Sequence, residues 1–174
     1  GRGRVRIYTL NGGDWEQLGV DIQINELCRT EAQLFGFSVD LSSNGRSVVI
    51  GAPGKRGICN REPTGYAYLY SFELMQVGDQ YLPYWRQDSG ITSTTGSFLG
   101  HAVSISSDGR TYAASSRDGV VKVVNNNGIR DINHGGTQRA GGAEISEGLS
   151  LSLDANGSTV AIGSQRSMSG NNRD

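Results

Sequence analysis

Between Leu34 and Pro53 the chain switches between apolar and polar residues with a regular period. Phe37, Val39 and Leu41 alternate with Ser38, Asp40 and Ser42, and a period of two is the mark of a β-strand. Asn44-Gly45 follows, the residue types that tolerate the positive φ of a tight hairpin turn. Val48, Val49 and Ile50 then form a β-branched run, and Gly51-Ala52-Pro53 ends it, since proline has no N–H to give to a ladder. The stretch predicts a whole β-hairpin with Gly45 at positive φ.

The pattern recurs twice. Gly100 opens a second copy that reaches Asp108-Gly109, and Gly148 opens a third that reaches Asn156-Gly157. In each copy, as in Gly36 to Gly45, nine residues separate the leading glycine from the turn glycine. The segments after the turns also correspond: Ser47 to Ala52, Thr111 to Ser116 and Thr159 to Ser164. Three copies in register imply an array of supersecondary units.

The intervening segments fill in the unit. Val5 to Leu10 predicts a strand with Val5 and Ile7 on one face and Tyr8 and Leu10 on the other, and Asp14 to Ile22 is its hairpin partner across Asn11-Gly12-Gly13. Gly65 to Phe72 repeats Gly3 to Leu10. Leu74 to Pro83 has the look of an insertion, after which Trp85 takes the place of Trp15. Gly119 to Asn125 and Ile129 to Ile132 are the corresponding strands of the next unit. The expected loops are Gln23 to Gln33, Gly54 to Thr64, Ser89 to Ser97 and His134 to Ala143.

Each unit therefore has four strands, a to d, in an up-and-down meander. Val48 to Ile50 and Val120 to Val124 are apolar on both faces, whereas a sheet with one face in water alternates cleanly. Sheets covered on both sides fit the radially stacked blades of a β-propeller. The fold class expected is all-β: three four-stranded antiparallel blades, either a fragment of a propeller or part of an assembled ring. The organisation is a half-blade over 3–33, blades over 34–97 and 98–145, a half-blade over 146–165 and a polar tail over 166–174. Three blades fall short of the usual ring of about four to eight, so further blades or self-association are expected. The two ends are complementary half-blades.

Composition narrows the partners. The 174 residues carry 16 basic and 17 acidic side chains, a net charge of −1, which argues against a nucleic-acid footprint. No apolar run approaches the roughly 20 residues of a membrane helix. No signal peptide opens the sequence, but the first residues already lie inside a repeat, so this carries no information about secretion.

Phe35-Gly36, Gly51-Ala52-Pro53 and Gly65-Tyr66-Ala67-Tyr68-Leu69-Tyr70 resemble the Phe-Gly, Gly-Ala-Pro and following aromatic strand of the FG-GAP repeat found in integrin-α-type β-propellers. The second unit keeps Leu99-Gly100 but has Ala114-Ser115-Ser116, and the third keeps Gly148 and Ile162-Gly163-Ser164. The resemblance implies an extracellular or surface propeller without catalytic residues or cofactor, used in adhesion, protein interaction or structural assembly. The alternative is a fragment of a propeller-fold enzyme acting on glycans. Many blades of the family carry a calcium loop of Asp-x-Asp-x-Asp-Gly type. Here Gly54 to Cys59 is basic and Ser116-Arg117-Asp118-Gly119 offers one carboxylate, too few for an ion that takes six to eight oxygens. No metal site is expected.

Single residues weigh lightly. His101 corresponds to Phe37 and Leu149 and fits a packing role; His134 has no second ligand at metal spacing. Asp14 and Glu16 share a strand face, as a glycosidase pair would, and equally fit a solvated edge. Tyr66, Tyr68 and Tyr70 share one face, suited to packing between blades. Asn156-Gly157-Ser158 is an N-glycosylation triplet and also a plain turn. In the meander the tight a–b turns lie on one face and the long loops on the other, so a partner, protein or glycan, is expected at the long loops. That topology also brings Cys28 and Cys59 to one face of one blade, and a disulfide between them is expected, with the oxidising compartment that it implies.

Overall fold

The computed structural model describes residues 3–24, 34–54, 65–93, 97–117, 119–133 and 149–164. Within them the chain is all-β, twelve strands in antiparallel sheets of four, four, two and two. The first hairpin is β1 (Tyr8–Asn11) and β2 (Asp14–Gln17). The first full sheet is β3 (Ser38–Leu41), β4 (Ser47–Ala52), β5 (Tyr66–Val77) and β6 (Gln80–Thr92), hydrogen-bonded in that order. The second is β7 (Val103–Ile105), β8 (Tyr112–Ser115), β9 (Val120–Asn125) and β10 (Gly128–Asn133), again in chain order. A last hairpin pairs β11 (Leu149–Leu153) with β12 (Val160–Ser164).

The three repeated hairpins are β3–β4, β7–β8 and β11–β12. Gly45, Gly109 and Gly157 all have positive φ, at 66°, 75° and 69°. The turn differs from the expected form in one respect: the glycine alone is left-handed, and Asn44 is not. Each turn closes by the glycine N–H donating to a carbonyl three residues back, to Ser42, Ser106 and Asp154 at 2.9, 3.0 and 3.0 Å. The Asn44 and Asp108 side chains are used as acceptors for the turn amides of Arg46 and Arg110, the habit that makes such residues turn formers.

The sheets stack because the central strands are apolar on both sides. Val48, Ile50 and Ala52 of β4 pack with Val5, Ile7, Ile22, Phe35, Tyr68, Tyr70 and Trp85 in one core. Val49, the alternate residue, lies in a second core with Ala67, Ile91, Leu99, Val103, Ile105 and Tyr112. The first full sheet is thus filled on one face by the β1–β2 segment and on the other by the second sheet. Its Tyr66, Tyr68 and Tyr70 lie on one face as expected; Phe35 lies 6.0 and 6.3 Å from the Tyr68 and Tyr70 rings, and Tyr66 stacks on Tyr68 at 5.7 Å.

Two expectations need correction and two need refining. Leu74 to Pro83 are extra relative to the other units, and they take the form of a longer hairpin: β5 and β6 run on together past the rest of the sheet, pairing Val77 with Gln80 across Gly78-Asp79, where the equivalent β9 and β10 have six residues each. Ser89 to Thr92, expected in a loop, belong to β6 and pair with Tyr66 to Leu69. Val5 to Leu10 and Asp14 to Ile22 do not pair throughout. After Tyr8↔Gln17 the ladder is interrupted at Gly19, φ 77°, and resumes as a single bridge, Val5↔Ile22. Finally, Trp85 does take the place of Trp15, since Phe72↔Trp85 repeats Leu10↔Trp15, but the two differ in burial. Trp85 is 8% exposed and donates its indole N–H to the Leu18 carbonyl at 2.9 Å, whereas Trp15 is 69% exposed.

The turn glycines separate two effects that usually come together. A Cβ on Gly109 would meet Ser47 Oγ at 2.6 Å, and one on Gly157 would meet Thr111 Oγ1 at 2.6 Å, each residue belonging to the preceding hairpin; a Cβ on Gly45 meets nothing within 4 Å. Gly45→Ala is expected to lose only the backbone term, about 1 kcal/mol. Gly109→Ala adds a clash and is expected to lose about 1–3 kcal/mol more. Equal shifts in the urea midpoint for the two variants would contradict the packing of the turn on Ser47.

Candidate functional site

The inner strands are joined by a polar seam that repeats with the hairpins. Ser43 donates its amide to the Ser107 carbonyl at 3.1 Å, and Ser107 donates its own to the Ala155 carbonyl at 3.0 Å. Three residues earlier in each unit, Asp40 Oδ2 accepts from the Ile105 amide at 2.9 Å and the Ser104 hydroxyl at 3.1 Å, and Ser104 Oγ accepts from the Leu153 amide at 3.0 Å. The only carboxylate of this seam among the described residues is therefore committed to the neighbouring sheet. A buried amide that loses its acceptor costs about 1–3 kcal/mol, so Asp40 is a structural tie.

Other carboxylates have similar duties. Asp108 and Asp154 hold their own turns, and both are pushed below the usual carboxylate value of 3.8, first by backbone hydrogen bonds, from Arg110 and Thr159 respectively. Asp21 is held below that value chiefly by its hydrogen bond from Arg6 Nε at 2.8 Å, which ties the start of the chain to the segment after β2. Asp88 accepts from Arg86 at 2.7 Å and from the Ser71 hydroxyl, and Asp131 is paired with Lys122 at 2.9 Å.

The end of the sheets that carries the long connections gathers an aromatic and cationic group. Phe37 and His101 occupy equivalent positions just before β3 and β7, and their rings lie 5.1 Å apart. His101 lies two residues before β7 and not within the strand that its correspondence to Phe37 and Leu149 had suggested. Arg117, in the β8–β9 connection, lies over the Phe98 ring at 5.3 Å and donates its amide to the Ser97 carbonyl at 2.7 Å. Partial burial, and then the Arg117 charge, lower the His101 pKa from its usual 6.5. Leu34 and Phe98, each immediately before an equivalent residue (Phe35 and Leu99), are the two non-glycine residues at positive φ among those described. Such strain, about 1–3 kcal/mol per residue, collects at functional sites. Chemically the group offers ring faces for stacking and a guanidinium for hydrogen bonding.

Among the remaining expected residues, Asn156 is exposed at the tip of the β11–β12 turn, and the Ser158 hydroxyl of its triplet donates to Asp154 Oδ2 at 2.8 Å. Asp14 and Glu16 are both exposed on β2, and Glu16 accepts from the Asn11 amide at 3.0 Å. Cys28, Cys59, His134 and Asp118 lie outside the described residues, as do most of the long loops. Among the described residues no group of three or more His, Cys, Asp and Glu could hold a metal ion.

Two apolar surfaces escaped the sequence reading. Phe37, just before β3, and Val39 and Leu41 within it are 52%, 52% and 44% exposed. The β5–β6 arm exposes Leu74, Met75, Val77, Tyr81 and Leu82. Period-two alternation announces an apolar face but not whether a neighbour covers it. No protein-family model and no curated protein matches the chain.

The His101 environment sets a pH dependence. A base whose pKa is lower folded than unfolded binds fewer protons when folded, so stability falls as pH drops below the unfolded value of 6.5 toward the folded one. The expected result is a melting temperature that declines over that window in the wild type and stays level there in His101→Phe. The same decline in both proteins would assign it to another group. A second decline, as Asp108 and Asp154 protonate below 3.8, is expected in both.

Proposed function

We propose that the chain is a non-catalytic scaffold of the FG-GAP, integrin-α-like β-propeller type, with its sheets as blades, acting outside the cell or at its surface in adhesion, protein interaction or structural assembly. The observation that carries the reading is the seam. The same positions of successive hairpins bond in the same sense, Ser43 to Ser107 and Ser107 to Ala155, as identical units do when each is rotated from the last about a common axis. Both faces of the first full sheet are filled by neighbours, the packing that blades require. The absence of catalysis is supported by the employment of the carboxylates: Asp40, Asp108 and Asp154 serve sheets and turns.

The partner surface is the long-loop end, where Phe37, His101, Phe98 and Arg117 gather. Rings backed by a guanidinium suit a protein side chain or the apolar face of a sugar. The opposite end carries the tight hairpin turns and the apolar tip of the β5–β6 arm. Extracellular placement agrees with the expected Cys28–Cys59 bond, which in the chain-entropy model stabilises by roughly 3 kcal/mol.

Two measurements test this. Incubation with a panel of chromogenic aryl glycosides is expected to release no aglycone, and hydrolysis that persists through repurification would replace the scaffold with a glycan-cleaving enzyme. Peptide mapping without reduction, on protein made in an oxidising compartment, is expected to yield a linked Cys28–Cys59 pair. Recovery of both as alkylated thiols would remove the chemical support for an extracellular location.

A further inference from the structure

The internal repeat states what should cover each surface, and at one place the described residues supply no such cover. Val103 and Ile105 of β7 correspond to Val39 and Leu41 of β3. They are 8% and 6% exposed, because the first full sheet lies over them, while Val39 and Leu41 are 52% and 44% exposed. The glycines repeat the contrast: Gly109 is met by Ser47 and Gly157 by Thr111, but Gly45, which by the same rule should be met by the residue equivalent to both, has open space. That equivalent residue is Thr159.

The same is true of the hydrogen bonds. The seam runs from Ser43 to Ser107 to Ala155, and continuing it asks the Ala155 amide for a carbonyl equivalent to that of Ser43. Among the described residues, the Ala155 amide has no such partner and the Ser43 carbonyl accepts no such bond.

Among the described residues the two hairpins lack opposite halves. Gly3, before β1, abuts the Phe35 backbone, just as Gly65, before β5, abuts the backbone of Phe98 and Leu99. The residues that flank β1 and β2, Val5, Ile7 and Ile22, therefore sit on the first full sheet as the outer pair of a four-stranded sheet would, and among the described residues no inner pair accompanies them. β11–β12 packs along β7 and β8 as an inner pair, and its outer edge is bonded to no other strand among the described residues.

We propose that two copies of this chain close into one ring of six sheets, the β11–β12 hairpin of each copy pairing with β1 of the other and covering its Phe37–Val39–Leu41 stripe. The register follows from the two complete sheets, where Val48 faces Tyr70 and Tyr112 faces Val124. By equivalence Val160 faces Tyr8 and Gly163 faces Val5. This places Val5 and Ile7, already turned toward the first full sheet, on the same side as Ala161, as Ala67 is on the same side as Val49 in the complete sheet. The Thr159 side chain then meets Gly45, and the Ala155 amide meets the Ser43 carbonyl. Each copy supplies two complete sheets and both halves of a shared one, so two copies make six, inside the usual range of about four to eight. A two-fold axis makes the two junctions identical and leaves none open, the condition for a closed assembly and not a filament. The proposal rests on the blade reading above for its closure and on the internal repeat for its contacts.

Sedimentation equilibrium of the 174-residue chain decides it. The expected wild-type mass is twice 18.6 kDa. Val39→Asp and Ala161→Arg change exposed side chains on opposite halves of the junction. Each is expected to sediment as a single copy with an unchanged far-UV circular dichroism spectrum. A wild-type chain that sediments as a single copy, or as an open-ended series of masses, overturns the ring. So does a dimer that both variants leave intact. A monomeric wild type that still hydrolyses no glycoside would sink the ring and leave the scaffold reading standing.

Discussion

The structure depends on strands that are apolar on both faces. In β4, Val48 and Ile50 point into one core and Val49 into the other. Burying such a side chain is worth about 1.5–3 kcal/mol, and neither face can be left in water without forfeiting it. A sheet of this kind cannot stand alone or in a two-layer sandwich with one face exposed. It needs a neighbour on each side, and its neighbour needs another. The stacking of Val5, Ile7 and Ile22 on the first full sheet, of that sheet on the second and of the second on β11 is this requirement carried along the chain.

The repeated hairpins were legible in the sequence because each carries three independent local signals: alternation, a turn glycine at fixed spacing and a β-branched or small-residue run. Gly45, Gly109 and Gly157 have the φ that the spacing demands. The outer strands were read less well. Their boundaries depend on pairing, and nothing local shows that Leu74 to Pro83 lengthen β5 and β6, or that Ser89 to Thr92 bond to Tyr66 to Leu69. Trp15 and Trp85 have similar sequence surroundings and opposite burial, because burial is decided by the sheet alongside. Only Trp85 has the Leu18 carbonyl within reach of its indole.

The candidate site was legible in outline and obscure in detail. Up-and-down topology fixes which ends of the strands share a side, so the long-loop end could be named from the order of turns alone. The pairing of His101 with Phe37 could have been found by asking what two equivalent positions of adjacent units meet; equivalence was noticed, adjacency was not. The exposed β3 stripe needed the structure, since its residues are as apolar as those of β7. The difference lies in the neighbours: one inner strand has a sheet over it and the other does not.

The turns show which features of the repeat are constrained. In the first two hairpins the amide two residues after Asn44 or Asp108 is held by that side chain, and the next amide by the hydroxyl of Ser42 or Ser106. In the third, the position of Ser42 is taken by Asp154, whose Oδ1 accepts from both Ser158 and Thr159. Asn156 stands where Asn44 and Asp108 do, yet the acceptor work has moved to the other residue. Two chemically different sets of side chains thus meet one demand, acceptors for two consecutive amides at the turn. The repeat specifies positions of hydrogen-bonding capacity and of apolar volume more strictly than it specifies residues. That is why its second and third copies diverge in sequence while their seams to the adjoining hairpins run through the same atoms, Ser43 to Ser107 and Ser107 to Ala155.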